Sequence, residues 1–143
     1  MTLKVSGETI RLALFQGIKN AIDRLERNEI AEYPEFAGLR FSVNASSPTE
    51  QVFDIEVNDR LEGEWRPLDP YDMFTIVSNS NIFNGNVQGL TGFSDIQSEE
   101  SGELLIPEET GKWSTQTFLD YGTKIGTLLP PKPEEYSTRV YIS

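Results

Sequence analysis

The stretch from Leu68 to Phe93, LDPYDMFTIVSNSNIFNGNVQGLTGF, organises the rest of the chain. Met73 to Val77 is a short apolar, partly β-branched run between Asp69-Pro70 and a polar segment, which predicts an interior strand. The loop behind it is rich in residues that tolerate unusual backbone angles: Asn79, Asn81, Asn84, Gly85, Asn86, Gly89 and Gly92. A strand that ends in such a loop is a common binding site, and an ordinary surface turn is the alternative.

Length and composition predict one domain with a real core. The chain has 143 residues, of which 37% are hydrophobic and 10% aromatic. Its 23 acidic and 12 basic residues give a formal net charge of -11, which opposes binding to nucleic acid and to anionic lipid. We therefore expect no nucleic acid partner.

The sequence predicts no membrane insertion, because no apolar run approaches the ~20 residues that a membrane span needs. Lys4, Glu8 and Arg11 interrupt the first segment, so we also expect no signal peptide within this chain.

Cysteine and histidine are both absent from the sequence. The lack of cysteine excludes disulfides, thiolate nucleophiles and zinc-thiolate sites. The lack of histidine excludes a Ser-His-Asp triad and most zinc catalytic sites. Paired carboxylates stay available, so a glycosidase is a remote third hypothesis, although no pair of acids can be nominated. Together with the absence of Walker and dinucleotide-binding motifs, this composition favours a part of a protein whose chemistry lies elsewhere.

A strand and a long helix are predicted at the start of the chain. Leu3 to Val5 forms the strand, and Ser6-Gly7 separates it from a helix that runs from about Glu8 to Arg27. Apolar residues recur in the helix at the spacing of one face: Ile10, Leu14, Ile18, Ile22 and Leu25.

Two strands and a turn are predicted next. Residues 39–43 and 52–57 each alternate apolar and polar side chains, and their short separation indicates an antiparallel hairpin. Residues 60–67, which include Trp65, are expected to form a turn.

An acidic segment follows Phe93. Residues 94–111 carry six acidic residues and no Lys or Arg. They predict a solvated excursion in which Leu104 to Ile106 touch the body of the domain. A calcium site is the sharper alternative for the same charges.

The chain closes with a predicted second helix and a final strand. Ser114 is expected to cap a helix from Thr115 to about Thr127, and Arg139 to Ile142 alternates as a strand that returns to the sheet. Four apolar residues should face inward from the helix: Phe118, Tyr121, Ile125 and Leu128. The predicted fold class is therefore α+β, a mixed β-sheet with two principal helices packed on it.

Five phrases give the chain a resemblance to a known family. They are Val5-Ser6-Gly7-Glu8-Thr9-Ile10; Phe36-Ala37-Gly38-Leu39-Arg40-Phe41; Pro67-Leu68-Asp69-Pro70 with Phe74-Thr75-Ile76-Val77-Ser78-Asn79; Phe83-Asn84-Gly85; and Phe118-Leu119-Asp120-Tyr121 with Arg139-Val140. No phrase is specific alone, but their order and spacing cover nearly the whole chain. The chain resembles the carboxyl-terminal, substrate-binding domain of the 5'-nucleotidases, a family that includes UDP-sugar hydrolases and 2',3'-cyclic phosphodiesterases.

The resemblance implies a division of labour. In this family an amino-terminal metallophosphoesterase domain holds two divalent metal ions and cleaves the phosphate bond. The carboxyl-terminal domain binds the nucleotide and stacks its base between two aromatic rings. By this resemblance the chain holds no cofactor, is not catalytic alone, and has as partners that amino-terminal domain and a nucleotide or nucleoside-diphosphate sugar. The resemblance also implies a periplasmic or extracellular location.

The loop departs from the family pattern, which runs Asn-Gly-Gly-Asp-Gly and then Phe or Tyr. Here the loop is one residue longer, with Gln88 in place of the aspartate and Leu90 in place of the aromatic. Phe93 is expected to supply the ring instead, and Asp95 falls near a position that binds ribose hydroxyls. The substrate-binding residues that the resemblance implies are Asn81, Asn84, Gly85, Gly89, Leu90, Phe93 and Asp95.

Two function hypotheses from different classes stay open at this point. The first is a substrate-binding domain of a phosphoester hydrolase. The second is an interaction or structural module that keeps the fold but has lost the nucleotide pocket. Leu90, the longer loop and the net charge of -11 favour the second, because a nucleotide is itself anionic.

Overall fold

Two β-sheets and three helices make up the described part of the chain. The computed structural model describes residues 1–59, 63–84, 90, 93, 102–106, 113–130 and 132–143. The strands are β1 (Thr2–Ser6), β2 (Leu39–Asn44), β3 (Val52–Asp59), β4 (Glu64–Pro67), β5 (Met73–Val77), β6 (Gly102–Ile106) and β7 (Thr138–Ile142). The helices are α1 (Gly7–Glu26), α2 (Ser80–Phe83) and α3 (Ser114–Ile125). The predicted α+β class is confirmed, with the strands divided between two sheets.

Helix α1 forms where the periodicity predicts it. Ser6 is its N-cap, and the Ser6 hydroxyl accepts a hydrogen bond of 3.2 Å from the Thr9 backbone N–H. Glu8 lies in the first turn, where the helix dipole favours a negative charge. The buried stripe consists of Gly7, Ile10, Ala13, Leu14, Gly17, Ile18, Ala21 and Ile22. Burial of this stripe anchors the helix on the sheets.

The smaller sheet has the order β5-β1-β6, and both pairs are antiparallel. The prediction that residues 73–77 form an interior strand is wrong, because among the described strands β5 lies at an edge and β1 occupies the centre. Met73 and Val77 are 51% and 76% exposed. A five-residue apolar run does not specify its neighbours, and here Leu3 and Val5 of β1 take the buried positions.

The larger sheet has the order β4-β3-β2-β7. The predicted antiparallel hairpin of β2 and β3 is confirmed, and β7 returns to pair with β2 in parallel. The expected turn at residues 60–67 is wrong in its second half, because Glu64–Pro67 is a strand that pairs with β3. A register shift between Arg40 and Ser42 breaks the alternation and leaves Ser42 buried.

One core joins the two sheets. Helix α1 contacts β1 of the smaller sheet and β3 of the larger sheet. The buried cluster draws on α1 and on strands of both sheets, with members that include Val5, Leu14, Ile18, Phe41, Val43 and Val52. Each fully buried side chain of this size contributes about 1.5–3 kcal/mol. The shared cluster is therefore what holds the two sheets at α1.

Helix α3 is present as predicted, but its predicted orientation is wrong. Phe118, Tyr121, Ile125 and Leu128 are 58%, 55%, 41% and 51% exposed, so they do not face inward. Its N-cap is Trp113, with no side-chain capping bond, where Ser114 had been expected. Periodicity identifies an apolar face but does not identify what that face packs against.

A close backbone contact fixes the start of α1 against the turn before β5. The Gly7 N–H donates to the Asp72 carbonyl oxygen at 2.9 Å, and the Glu8 N–H donates to the Pro70 carbonyl oxygen at 3.0 Å. A Cβ atom built on Gly7 would overlap the Asp69 carbonyl oxygen and lie 2.9 Å from its carbonyl carbon. Only glycine therefore fits at this position without a backbone shift.

Replacement of Gly7 by alanine tests this contact. We expect Gly7→Ala to lower the free energy of unfolding by about 1–3 kcal/mol, because the added methyl group forces the backbone apart. Gly122→Ala is the matched control in α3, where a Cβ atom meets nothing within 4 Å, and we expect no loss there. Urea unfolding followed by circular dichroism measures both. Equal losses of unfolding free energy in the two variants would contradict the inference that the close contact of Gly7 with the turn before β5 stabilises the fold.

An ion-pair network joins β2, β3 and β7. Glu56 Oε2 accepts hydrogen bonds of 2.7 Å from Arg40 Nε and from an Arg139 amino group. The Arg40 guanidinium also stacks 4.2 Å from the centre of the Trp65 ring. The hydrogen bond from Arg40 lowers the pKa of the Glu56 carboxyl below its ordinary value of 4.5, and the charges of both arginines add to this effect.

The network makes a pH-dependent contribution to stability. Because the folded-state pKa of Glu56 is depressed, its contribution is present above pH 4.5 and is lost as the pH falls through the folded-state pKa. We expect Glu56→Gln to lower the free energy of unfolding by about 1–2 kcal/mol at neutral pH. The difference in the free energy of unfolding between Glu56→Gln and the wild type should shrink in strong acid, because Glu56 is then protonated in the folded state as well.

Asp23→Asn is the matched control for Glu56→Gln, because it removes the exposed Lys19–Asp23 pair of α1. We expect that control to change the free energy by about 0.5 kcal/mol at most. Urea unfolding at neutral and acid pH compares the two variants. A Glu56→Gln difference that does not depend on pH would show that the charge of Glu56 is not what stabilises β7.

Candidate functional site

The polar segment after β5 begins with one helical turn. Asn79 is the N-cap of α2, and its Oδ1 accepts a hydrogen bond of 3.0 Å from the Ile82 N–H. The Asn84 N–H donates to the Ser80 carbonyl oxygen at 2.9 Å and closes the turn. The polar composition of this segment predicts a loop, although an asparagine three residues before an apolar pair is a recognisable helix start signal. The turn directs Phe83 into the core, where it is buried.

Two aromatic rings meet behind this turn. The centres of the Phe83 and Phe93 rings lie 5.7 Å apart with an interplanar angle of 87°, an edge-to-face contact. Phe93 is 6% exposed and Leu90 is 2% exposed, and both belong to the main core cluster. The Phe93 N–H donates to the Leu90 carbonyl oxygen at 3.3 Å. The segment is therefore held to the body of the domain at Leu90 and Phe93.

A cavity of about 800 Å³ lies along β5 and reaches this aromatic pair. Ile82, Phe83, Leu90 and Phe93 form one end of its wall, and residues 35–39, Val57, Asn58 and Arg66 form the rest with β5 and Ile10. Six consecutive residues of the β5 region, Met73 to Ser78, line it. Successive side chains of a strand point to opposite faces, so a cavity that touches all six runs along the strand edge.

The free edge of β5 makes the cavity wall polar as well as apolar. Strand β5 lines the cavity, and among the described strands it pairs only with β1, so its backbone groups that point away from β1 have no described strand as a partner. Such groups offer hydrogen bonds at fixed spacing to anything that lies beside them. The cavity thus combines an apolar aromatic end with a row of backbone donors and acceptors.

The formal net charge of the described lining is zero, since Arg66 is its one cation and Glu35 its one anion. An Arg66 amino group donates to Asp72 Oδ2 at 2.9 Å, and the guanidinium lies 5.4 Å from the centre of the Phe74 ring. Both side chains of this ion pair are more than two-fifths exposed. Asp72 therefore competes with any anion for Arg66.

The structure brings together some of the residues that the sequence predicted for substrate binding. Leu90 and Phe93 line the cavity, whereas Asn81 and Asn84 are exposed and do not line it. Gly85, Gly89 and Asp95 lie outside the described residues. Arg40 is not part of the lining either, since it is held by Glu56 and Trp65.

Several lining residues were missed by the sequence analysis. Residues 35–39, Asn58 and Arg66 reach the cavity only because the larger sheet places them opposite β5. Asn58 at the end of β3 has a buried Oδ1 with no hydrogen-bond partner in the described structure. Its position at the end of an alternating strand is the one sequence feature that could have indicated a cavity residue, and this feature is not specific.

The described residues offer neither a cluster of metal ligands nor a helix that could cross a membrane. They contain no group of three or more acidic residues arranged to hold a metal ion. Most of the acidic segment 94–111, where a calcium site was the alternative, lies outside them. No described helix is both long and apolar enough to span a bilayer.

Comparison with known proteins adds to this geometry. The chain superposes on the solved structure of the NAD nucleotidase of Haemophilus influenzae with a TM-score of 0.77 and 16% sequence identity. The match covers 99% of this chain and 24% of that one, so the chain spans about a quarter of the length of that protein. No curated protein matches the sequence. At this identity the match establishes the shared fold.

A family model identifies the chain more directly. Residues 1–95 match the model described as "5'-nucleotidase, C-terminal domain". The matched region holds the contact at Gly7, the hairpin of β2 and β3, all of β5, and the cavity residues Leu90 and Phe93. The resemblance that the sequence phrases gave is thereby confirmed. The chain belongs to the family of 5'-nucleotidase carboxyl-terminal domains.

Proposed function

We propose that this chain is the nucleotide-binding part of a phosphoester hydrolase and that the cavity along β5 receives the ligand. The phosphate bond would be cleaved in a separate amino-terminal metallophosphoesterase domain with two divalent metal ions. Membership of the 5'-nucleotidase family supports the proposal. One structurally similar protein is an NAD nucleotidase, which makes nucleotides the first class of ligand to test.

The observation that carries the proposal is the cavity itself. Its volume of about 800 Å³ falls in the range of about 300–1,000 Å³ that is usual for small-molecule sites. Phe83 and Phe93 line the cavity, and a base could contact the small apolar part of their rings that stays exposed. The open edge of β5 offers backbone groups that a base can bond along its polar edge.

Charge determines how a nucleotide would be oriented. The chain carries a net charge of -11, so a phosphate group is repelled from most of the surface. Arg66 is the cation of the described lining, and it forms a half-exposed pair with Asp72. The proposal therefore puts the base at the aromatic end and the phosphate near Arg66.

Substitution of Phe93 tests the position of the base. We expect calorimetric titration with adenosine and AMP to show saturable binding, weakened about fivefold or more in Phe93→Leu because aromatic contact with the base is lost. Phe41→Leu is the matched control, since Phe41 is buried in the same core but does not line the cavity. Both variants should unfold at similar urea concentrations. Equal loss of affinity in both would place the ligand elsewhere.

Substitution of the Arg66–Asp72 pair tests the position of the phosphate. We expect Arg66→Gln to weaken AMP binding about threefold to tenfold and to leave adenosine binding unchanged, because an exposed charge contributes about 1 kcal/mol. Asp72→Asn should strengthen AMP binding by freeing Arg66. Arg27→Gln, which removes the exposed Arg27–Glu29 pair at the end of α1, is the control. Effects on adenosine as large as those on AMP would contradict this orientation.

The rival function is an interaction module that keeps the fold without a nucleotide site. The burial of Leu90 and Phe93 in the core favours it, because neither side chain presents an open face for stacking. In that case the free edge of β5 would bind an extended peptide as an added strand. The titrations above separate the two functions. A folded chain that gives no heat with adenosine, AMP, UDP-glucose or NAD would support the rival.

A further inference from the structure

The hydrogen-bond register of β1 and β5 decides which backbone groups of β5 are free. The Ser78 N–H donates to the Met1 carbonyl oxygen at 3.2 Å, and the Gly7 N–H donates to the Asp72 carbonyl oxygen at 2.9 Å. Both contacts extend the antiparallel register of the two strands. In an antiparallel pair, residues that exchange both hydrogen bonds alternate with residues that exchange none. Counting by twos from either contact gives the same alternation.

Three residues of β5 therefore direct their backbone N–H and C=O groups away from β1. Phe74 and Ile76 hold the hydrogen-bonded positions. Met73, Thr75 and Val77 hold the alternate positions, and no described strand pairs with their outward groups. Each of these three residues presents one donor and one acceptor on the same side of the strand, and the next such pair lies about 7 Å further along.

The cavity borders this outer edge of β5. Phe74 and Ile76 are half-buried, whereas Met73 and Val77 are exposed on the opposite face, yet all four residues line the cavity. No residue of β1, a strand that is described in full, lines it. A cavity that touches both faces of β5 but not the strand at its inner edge lies along its outer edge.

The outward backbone groups suit one kind of ligand group. An N–H beside a C=O bonds a group in which an acceptor lies next to a donor. Adenine has such a group on its Watson–Crick edge, where the ring nitrogen N1 accepts and the neighbouring amino group donates. A phosphate at neutral pH offers mainly acceptors, and the strand carbonyl oxygens repel it. The outer edge therefore suits a base better than a phosphate.

The position of Arg66 indicates which outward pair the base reaches. Arg66 is bonded to Asp72 and lies 5.4 Å from the centre of the Phe74 ring. A phosphate beside Arg66 therefore lies at the Met73 end of β5. Thr75 is the next outward residue, about 7 Å along the strand, and a ribose fills such a span.

We infer that the backbone N–H and C=O of Thr75 recognise the Watson–Crick edge of the base in this cavity. This assignment rests on the nucleotide-binding function proposed above. The Thr75 N–H donates to the ring nitrogen, and the Thr75 carbonyl oxygen accepts from the amino group. Adenine and cytosine both carry an amino group beside an unprotonated ring nitrogen and fit this pair. In hypoxanthine the donor and the acceptor exchange places, so inosine does not fit in the same orientation.

Calorimetric titration with adenosine and 1-deazaadenosine tests the inference. Thr75→Pro removes the outward N–H and no bond to β1, and edge strands tolerate proline at such positions. We expect this variant to bind adenosine about fivefold to tenfold more weakly, because one hydrogen bond to N1 is lost. Its affinity for 1-deazaadenosine should be unchanged, because that nucleoside has no N1 acceptor to lose. Thr75→Val keeps the N–H and is the matched control, which should bind adenosine like the wild type.

Amide hydrogen exchange of the wild-type chain, followed by NMR, tests the same contact without a substitution. In the free chain the amides of Phe74 and Ile76 should exchange slowly and that of Thr75 fast, because only the first two bond to β1. Adenosine should slow exchange at Thr75, and 1-deazaadenosine should not. This measurement decides the matter even where Thr75→Pro fails to fold.

The outcomes separate this inference from the proposed function. A wild-type chain that binds adenosine without protecting the Thr75 amide would overturn the inference alone. Equal loss of adenosine affinity in Thr75→Val and Thr75→Pro would do the same, since the side chain would then carry the contact. A folded chain that binds no nucleoside and no nucleotide would overturn the proposed function together with the inference.

Discussion

The close contact between the turn at residues 69–72 and the start of α1 is the constraint on which the rest of the structure depends. Backbone carbonyls of Pro70 and Asp72 accept the first two free N–H groups of the helix, so the turn completes the cap that Ser6 begins. The turn leads directly into β5, and Ser6, the residue before α1, is the last residue of β1. Because β1 and β5 pair with each other, one contact at Gly7 fixes the helix, the central strand and the cavity strand at the same point.

The cavity follows from this arrangement. Once β1 occupies the centre of its sheet, β5 has one edge paired and one edge free. The larger sheet is held to the same helix through the shared core, and this places Asn58 and Arg66 across from that free edge. The helical turn capped by Asn79 then brings Phe83 against Phe93 and closes one end. The cavity between the two sheets thus depends on the positions of backbone and apolar residues and on no side chain of special reactivity.

The sequence predicts the parts of this fold that depend on local pattern. Helix α1 and the hairpin of β2 and β3 are correct, because their buried residues recur at fixed spacing within a single element. The edge position of β5, the strand β4 and the exposure of α3 are not predicted, since each depends on neighbours distant in sequence. The residues that line the cavity are likewise predictable only in part. Leu90 and Phe93 could be named from the family phrase, whereas Arg66 and residues 35–39 reach the cavity only through tertiary structure.

The described sheet edges are protected to different degrees, and this difference separates the two exposed regions of the molecule. Strand β4 is four residues long and carries Glu64, Arg66 and Pro67, all of which discourage further pairing. Strand β5 lines the cavity, and no described strand pairs with its edge away from β1. Strand β7 has neither protection, since its one charge, Arg139, is held by Glu56.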